Sequence, residues 1–357
     1  MNYIGSKLSL LPFIEESIEK VIPKDLIGNS IFCDLFAGTG IVGSYFKKKD
    51  YTVYSNDIQY YSYVLIKHFI ENNEPLDFYS LTRLFPELKG ATPEERLSFI
   101  LLHLNHLEGE EGFIYNHYCV TGEEGSKFSR RYFTDENGKK CDAIRKELEI
   151  WKKNAYVSEN EYFYFLAILL ESIDKVANTA SVYEAFLKDY KKTALKPITL
   201  KPLDIIINDK HNKVFNEDIN TLISTIQGDI LYLDPPYNRR QYASNYHILE
   251  TIAKYDTPEI TGKTGIRKEP EKKSLYCSKV KATDAFDHLI QQAKFKYIFL
   301  SYNDEGIIPL DTIESIMSKR GKYGRFEQSY RRYKADNNRK YAKDDTIEYL
   351  HYVIVDQ

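Results

Sequence analysis

The sequence predicts an α/β protein: a doubly wound, mostly parallel sheet interrupted by a long helical insertion. Three observations carry this. Short apolar runs at 31–35 and 51–55 each lead into a helical pattern, at 41–48 and 60–71, which is the alternation of a parallel sheet. A glycine loop, Gly38-Thr39-Gly40-Ile41-Val42-Gly43, joins the first run to its helix. The alternation then stops between 73 and 200 and resumes as strand-like runs at 213–215, 229–233, 297–300 and 349–355.

Taken in order, residues 8–21 have helical spacing and end at the break Pro23-Lys24-Asp25. The run 31–35 reads as a buried strand, and 51–55 as the next, closing on Asn56-Asp57. Within the insertion, Thr92-Pro93-Glu94-Glu95 is a capping box with proline in the first turn, opening a helix to about residue 107. Residues 161–177 form a strongly apolar helix. Residues 112–138 look loop-like and carry Lys127, Arg130 and Arg131. The expected division is therefore 1–72 with 201–357 for the sheet, and 73–200 for the insertion.

Composition narrows the function. The 357 residues suffice for one large α/β domain plus an insertion. No apolar run reaches membrane-spanning length, and the N-terminus has no signal-peptide pattern. Cys33, Cys119, Cys141 and Cys277 lie far apart without a disulfide framework, so a reducing, cytoplasmic setting is expected. His103 and His106 share a helix face but lack partner ligands, so no metal site is expected. A net charge of −3 argues against a wholly basic nucleic-acid binder. The distribution says more: residues 319–343 hold ten Lys/Arg against two Asp/Glu, and residues 263–281 seven against two. The first run interleaves Tyr323, Phe326, Tyr330, Tyr333 and Tyr341. Basic residues mixed with aromatics suit phosphate contact and base stacking, so an acidic polymer is the expected partner.

Two stretches carry chemistry. The glycine loop is a literal G-x-G-x-x-G after a strand, and Asp57 stands where a carboxylate would accept hydrogen bonds from ribose hydroxyls. The motif alone does not separate a dinucleotide from another adenosine cofactor. Asp34, ahead of the glycines, would repel a pyrophosphate and attract an ammonium or sulfonium. Tyr3-Ile4-Gly5-Ser6-Lys7 offers a cation for a carboxylate. Ribose, positive sulfur, amine and carboxylate together describe S-adenosylmethionine; the plainer alternative is an Asp34 that merely ties the loop backbone. The second stretch is Leu231-Tyr232-Leu233-Asp234-Pro235-Pro236-Tyr237. Its prolines remove two backbone donors and hold φ near about −65°, fixing acceptors at a strand's end beside an aromatic face. An isolated D-P-P is as readily a rigid turn.

In combination and in this order, Tyr3-x-Gly5-Ser6-Lys7, Asp34-x-Phe36-x-Gly38-x-Gly40, Asp57 and Asp234-Pro235-Pro236-Tyr237 resemble the Dam-type adenine-N6 DNA methyltransferases of the alpha group. The stretches GFIYNHY, RRYFTDENGKKCDAIR, VANTASVY, YNRRQYASNYHILETIA and FLSYNDEG are similar to the Fok-type enzymes of type IIS restriction–modification systems. The resemblance implies a Rossmann-like methyltransferase sheet as the catalytic domain and a largely helical inserted domain for target recognition. It makes Asp234, Pro235, Pro236 and Tyr237 catalytic. It gives S-adenosylmethionine to Tyr3, Lys7, Asp34, Phe36, Gly38, Gly40, Asp57 and Asp234, and to Asp218, for which a helix cap is an equal alternative.

Adenine's amino nitrogen is a poor nucleophile because its lone pair is delocalised into the ring. Asp234 and the Pro235 carbonyl would accept its two N–H bonds, a gain of position and electrostatics. Turning the base out of the duplex costs a few kcal/mol, and stacking on Tyr237 returns roughly 1–3 kcal/mol. Double-stranded DNA is then the partner. A cognate restriction endonuclease, or a second methyltransferase for the other strand, is a further candidate. Arg130, Arg131, Lys263, Arg267, Arg331 and Arg332, with Arg239, Arg240, Tyr242 and Asn245 after the D-P-P-Y, are expected at the DNA. The basic 319–343 run would serve phosphate, and Arg130 or Arg131 base edges. The alternatives are an RNA adenine or DNA cytosine-N4 methyltransferase, a dinucleotide-dependent oxidoreductase, and a non-catalytic DNA-binding protein.

Overall fold

The computed structural model describes residues 5–122, 128–331 and 345–356, without the side chains of 330, 331 and 345. Its strands are β1 (Ile31–Asp34), β2 (Thr52–Asn56), β3 (Lys213–Phe215), β4 (Gln227–Leu233), β5 (Ile260–Thr261), β6 (Ile266–Arg267), β7 (Lys294–Asn303), β8 (Gly321–Arg331) and β9 (Asp345–Val355). Seven of them form one sheet in the order β3-β2-β1-β4-β7-β9-β8. The pairs from β3 to β7 are parallel, and β9 and β8 close the sheet antiparallel. This is the mixed, Rossmann-like α/β sheet expected of a methyltransferase.

Side chains alternate across this sheet, and both faces are covered. Phe32, Ile230, Tyr232 and Phe299 pack on one face with helices Leu11–Glu19 and Ile41–Lys48. Cys33, Leu231, Leu233, Ile298 and Leu300 pack on the other with helices Ala282–Gln292 and Leu310–Ser318. Two covered faces explain why β1 and β4 read as continuous apolar runs.

The chain divides into two compact units. The sheet unit takes Gly5–Asn73, Ile206–Ala243 and Pro270–Gln357; the helical unit takes Glu74–Ile205 and Ser244–Glu269. Ser244–Glu269, read from the sequence as part of the sheet portion, thus belongs with the helices. Its helix His247–Lys254 is almost wholly buried. Arg145 donates to the Ile252 carbonyl at 2.8 Å, and the Tyr255 hydroxyl to Asp142 at 2.7 Å.

The capping box forms as expected: Thr92 accepts from the Glu95 N–H and Glu95 from the Thr92 N–H, opening helix Pro93–His106. The supposed loop 112–138 instead carries helix Phe113–Tyr118 and the start of helix Asp135–Lys153. The latter is capped by Thr134 and buries Cys141, Ile144, Leu148 and Trp151. Its polar side chains hid this stripe. β8 was likewise hidden by its charge. Exposed Lys322, Arg325 and Glu327 break up an otherwise strand-like run, while Phe326 stacks on Tyr352 at 5.4 Å. Gly324 pairs with Tyr352, whose ring would meet any Cβ there at 2.4 Å.

Arg130 lies 5% exposed in the helical unit, donating to the carbonyls of His117, Gly262 and Lys263. Arg130→Ala would take the shared donor from three partly buried carbonyls and empty the buried space its side chain fills, at a cost of about 2–4 kcal/mol. Denaturant unfolding checks this; a loss below about 0.5 kcal/mol, the usual surface value, would refute it.

Candidate active site

β1 and β4 are neighbours from which the chain departs in opposite directions, to β2 and β3 on one side and to β7 on the other. Such a switch point opens a crevice at the strands' carboxyl ends, where open α/β sheets bind ligands. Both strands end there in an acid. Asp34 is the last residue of β1 and pairs with Tyr232, and Asp234 lies two residues further on.

Asp34 is 1% exposed. Its Oδ2 accepts the Gly43 N–H at 3.1 Å, while its Oδ1 is buried without a hydrogen-bond partner. Burial, followed by the charge of Asp234, pushes its pKa up to about 8. A buried acceptor of this kind suits a cation. The glycine loop starts beside it. Gly38 and Gly40 have φ of +54° and +76°, the left-handed region that favours glycine. Asp57 holds the loop from the next strand: its Oδ2 accepts the Gly38 N–H at 2.9 Å and its Oδ1 the Gln59 N–H at 2.8 Å. Phe36 meets Tyr276 edge-on, with centroids 5.1 Å apart.

At the other acid, the Lys7 ammonium lies 3.1 Å from Asp234 Oδ1 and 2.8 Å from Glu348 Oε1, and the Ser301 hydroxyl donates to that same Oε1. Lys7 is 5% and Glu348 2% exposed. Burial alone would lower the lysine's pKa, but Asp234 and Glu348 outweigh it and hold the ammonium charged. Asp234 is raised to about 6 by burial, opposed by Lys7, with Glu348 pushing it further up. Its side chain keeps 18% exposure, so it remains reachable. Pro235 is buried, and the Tyr237 carbonyl accepts the Ile307 N–H at 3.0 Å, which ties the D-P-P-Y turn to the segment after β7.

These contacts change several assignments. Lys7, expected at a ligand's carboxylate, is engaged by two carboxylates of the chain itself. Asp218 caps helix Ile219–Leu222, accepting from the N–H groups of Asn220 and Thr221 at 3.0 and 3.3 Å, so the cap alternative is the one seen. Arg130 and Arg267, expected at the DNA, are buried, the latter paired with Asp256 and Glu269 at 2.8 and 2.7 Å. Asn245 is also buried. Arg131 bonds the Lys188 carbonyl and lies over the Tyr190 ring. Arg239, Arg240 and Lys263 are exposed, and Tyr242 is half-buried. Tyr3, Lys127, Arg332 and the side chain of Arg331 fall outside the described residues. Glu348 was missed. Its one signal is a lone acid inside the apolar run 347–355, facing inward opposite Asn303.

The model of the D12 class N6 adenine-specific DNA methyltransferases matches residues 3–316. The chain belongs to this family. It is 47% identical over 353 residues to the type II methyltransferase M.NlaIII of Neisseria lactamica, covering 98% of each chain. It is 44% identical to M.FokI of Planomicrobium okeanokoites across 99% of its own length but only 52% of that protein's, and 33% identical to M.CviAII of Paramecium bursaria Chlorella virus 1 across 99% of that protein. No solved structure matches. This adenine-specific DNA methyltransferase thus keeps the switch-point crevice of its sheet, with both acids in it. Among the described residues no helix is long and apolar enough to cross a membrane, and no cluster of His, Cys, Asp and Glu could hold a metal ion.

The two acids make stability depend on pH. The folded-state pKa of Asp34 lies above that of an exposed aspartate, so the folded protein keeps this proton longer. Its contribution is full below about pH 4 and is lost as pH rises through about 8. Unliganded Asp34→Asn, which can still accept from Gly43, should therefore melt higher than wild type at pH 8, with the gap narrowing toward pH 5. A gap that does not change with pH in thermal unfolding would show that Asp34 carries no such burden.

Proposed function

We propose that this methyltransferase binds S-adenosylmethionine in the β1/β4 crevice and methylates N6 of an adenine turned out of duplex DNA. In this reading it is the modification enzyme of a restriction–modification system. The observation that carries the proposal is the pair of buried acids: Asp34 with an unpartnered oxygen, and Asp234 anchored through Oδ1 by Lys7. S-adenosylmethionine supplies an electrophilic methyl group on a positively charged sulfur. Such a cation beside Asp34 would pull its raised pKa down and so meet an ionised carboxylate, and the left-handed glycines let the backbone come close to it. Asp57, already at the loop, is positioned to take ribose hydroxyls. A pyrophosphate would add negative charge beside Asp34 and push its raised pKa further up, which disfavours a dinucleotide.

At the reacting base, Asp234 and the Pro235 carbonyl accept the two amino hydrogens and leave the nitrogen lone pair directed at the methyl group. Lys7 immobilises Asp234, so the acceptor needs no reorganisation during the reaction. Tyr237 stacks on the flipped base, returning roughly 1–3 kcal/mol of the few kcal/mol spent on flipping. We assign target recognition to the helical unit, and phosphate binding to Arg239, Arg240 and the 319–343 run. A cognate restriction endonuclease, and a second methyltransferase for the other strand, are the further partners of this reading.

Asp234→Ala should lower methyl transfer to duplex DNA by at least about 10²-fold in a folded protein. Mapping of the methylated bases, with RNA and cytosine-only duplexes in parallel, tests the substrate. Near-normal turnover by Asp234→Ala, or methylation of RNA or cytosine in preference, would overturn the assignment. Replacing Arg239 and Arg240 with alanine should weaken binding to every duplex alike. It should also flatten the log–log salt dependence by about 0.9 for each phosphate that the variant no longer neutralises. A changed recognition sequence would instead make them base readers.

A further inference from the structure

We infer that Glu348 is a positioning residue for methyl transfer, holding the Lys7 ammonium between itself and Asp234 so that Asp234 keeps its place and part of its charge. The inference rests on the reading of Asp234 as the acceptor for the adenine amino group.

Neutralising one aspartate takes one lysine. A second carboxylate, buried to 2% exposure, adds a desolvation penalty that a neutral residue would avoid. Yet Glu348 is built in. Its Oε1 is shared by the Lys7 ammonium and the Ser301 hydroxyl, and its Oε2 is buried without a hydrogen-bond partner. The register fixes this: Ser301 and Asn303 of β7 lie opposite Leu350 and Glu348 of β9. Lys7, tied closely to both acids, cannot swing fully onto either. Asp234 therefore stays in place through Oδ1 without being fully neutralised, and it remains a strong acceptor.

The same geometry has an electrostatic consequence. Asp234 is faced by Lys7 from the N-terminal segment, Glu348 from β9, Tyr232 from β4, Asp34 from β1 and Tyr237 from its own turn. Among these Glu348 pushes the Asp234 pKa upward. Its charge therefore adds to burial, the larger cause, in setting the lower pH limit for an ionised acceptor.

The test is the pH profile of kcat for adenine methylation of a duplex substrate, with S-adenosylmethionine affinity measured by calorimetry. Glu348→Gln keeps an acceptor for Lys7 and Ser301 but removes the charge. It should move the acid limb to lower pH by about half to one unit, since a repelling charge near Asp234 is gone. It should also lower the plateau kcat by about 3- to 10-fold with KM unchanged, because Lys7 now neutralises Asp234 more fully. An acid limb and plateau identical to wild type would overturn the inference, as would an effect confined to cofactor affinity. Should Glu348→Gln fail to fold, Ser301→Ala removes one donor to the same oxygen and should lower kcat in the same assay; an unchanged kcat there overturns the inference too. A wild type that methylates no adenine overturns the reading of Asp234 itself.

Discussion

Lys7 brings one positive charge into a buried place where three carboxylates gather, and the site depends on how that charge is shared. Asp34 and Asp234 stand at the ends of adjacent strands, where burial favours the protonated form of both, helped by the charge of Asp234 at Asp34 and by that of Glu348 at Asp234. Lys7 relieves Asp234 and leaves Asp34 unrelieved. The crevice is thus asymmetric before any ligand enters: one acid is anchored and partly exposed, the other buried with an oxygen to spare. A cation at the first strand and a neutral amine at the fourth are what such an arrangement favours.

The sheet makes the asymmetry possible. In a doubly wound topology the switch point puts two strand ends side by side whose sequences lie about 200 residues apart. The antiparallel β9 then brings Glu348 in behind them. The D12 family match ends at residue 316, before this strand begins. A charge acting on the family's motif residues is therefore supplied by a part of the chain outside the matched segment.

Much of this was legible in the sequence. Apolar runs buried on two faces, a glycine loop and a capping box are local signals, and each forms where it was expected. The acids Asp34, Asp57 and Asp234 were legible because strand ends in a doubly wound sheet share one crevice. Long-range pairing was not. Nothing near Lys7 shows that Glu348, 341 residues away, would claim it. Arg130 misled for a physical reason. A guanidinium has five donors in a planar fork, so Arg130 satisfies three carbonyls inside the helical unit as readily as it would a base edge.

β8 also bears on how the protein survives in a concentrated solution. It is bonded to β9 on one side and, among the described residues, to no strand on the other. A long edge with a free row of backbone donors and acceptors invites a second chain to add to the sheet. Exposed Lys322 and Arg325 lie along this strand, and charged side chains on an edge strand oppose such pairing wherever like charges are brought together. The start of the basic run that suggested phosphate binding thereby also works as a guard against aggregation, whether or not DNA is bound.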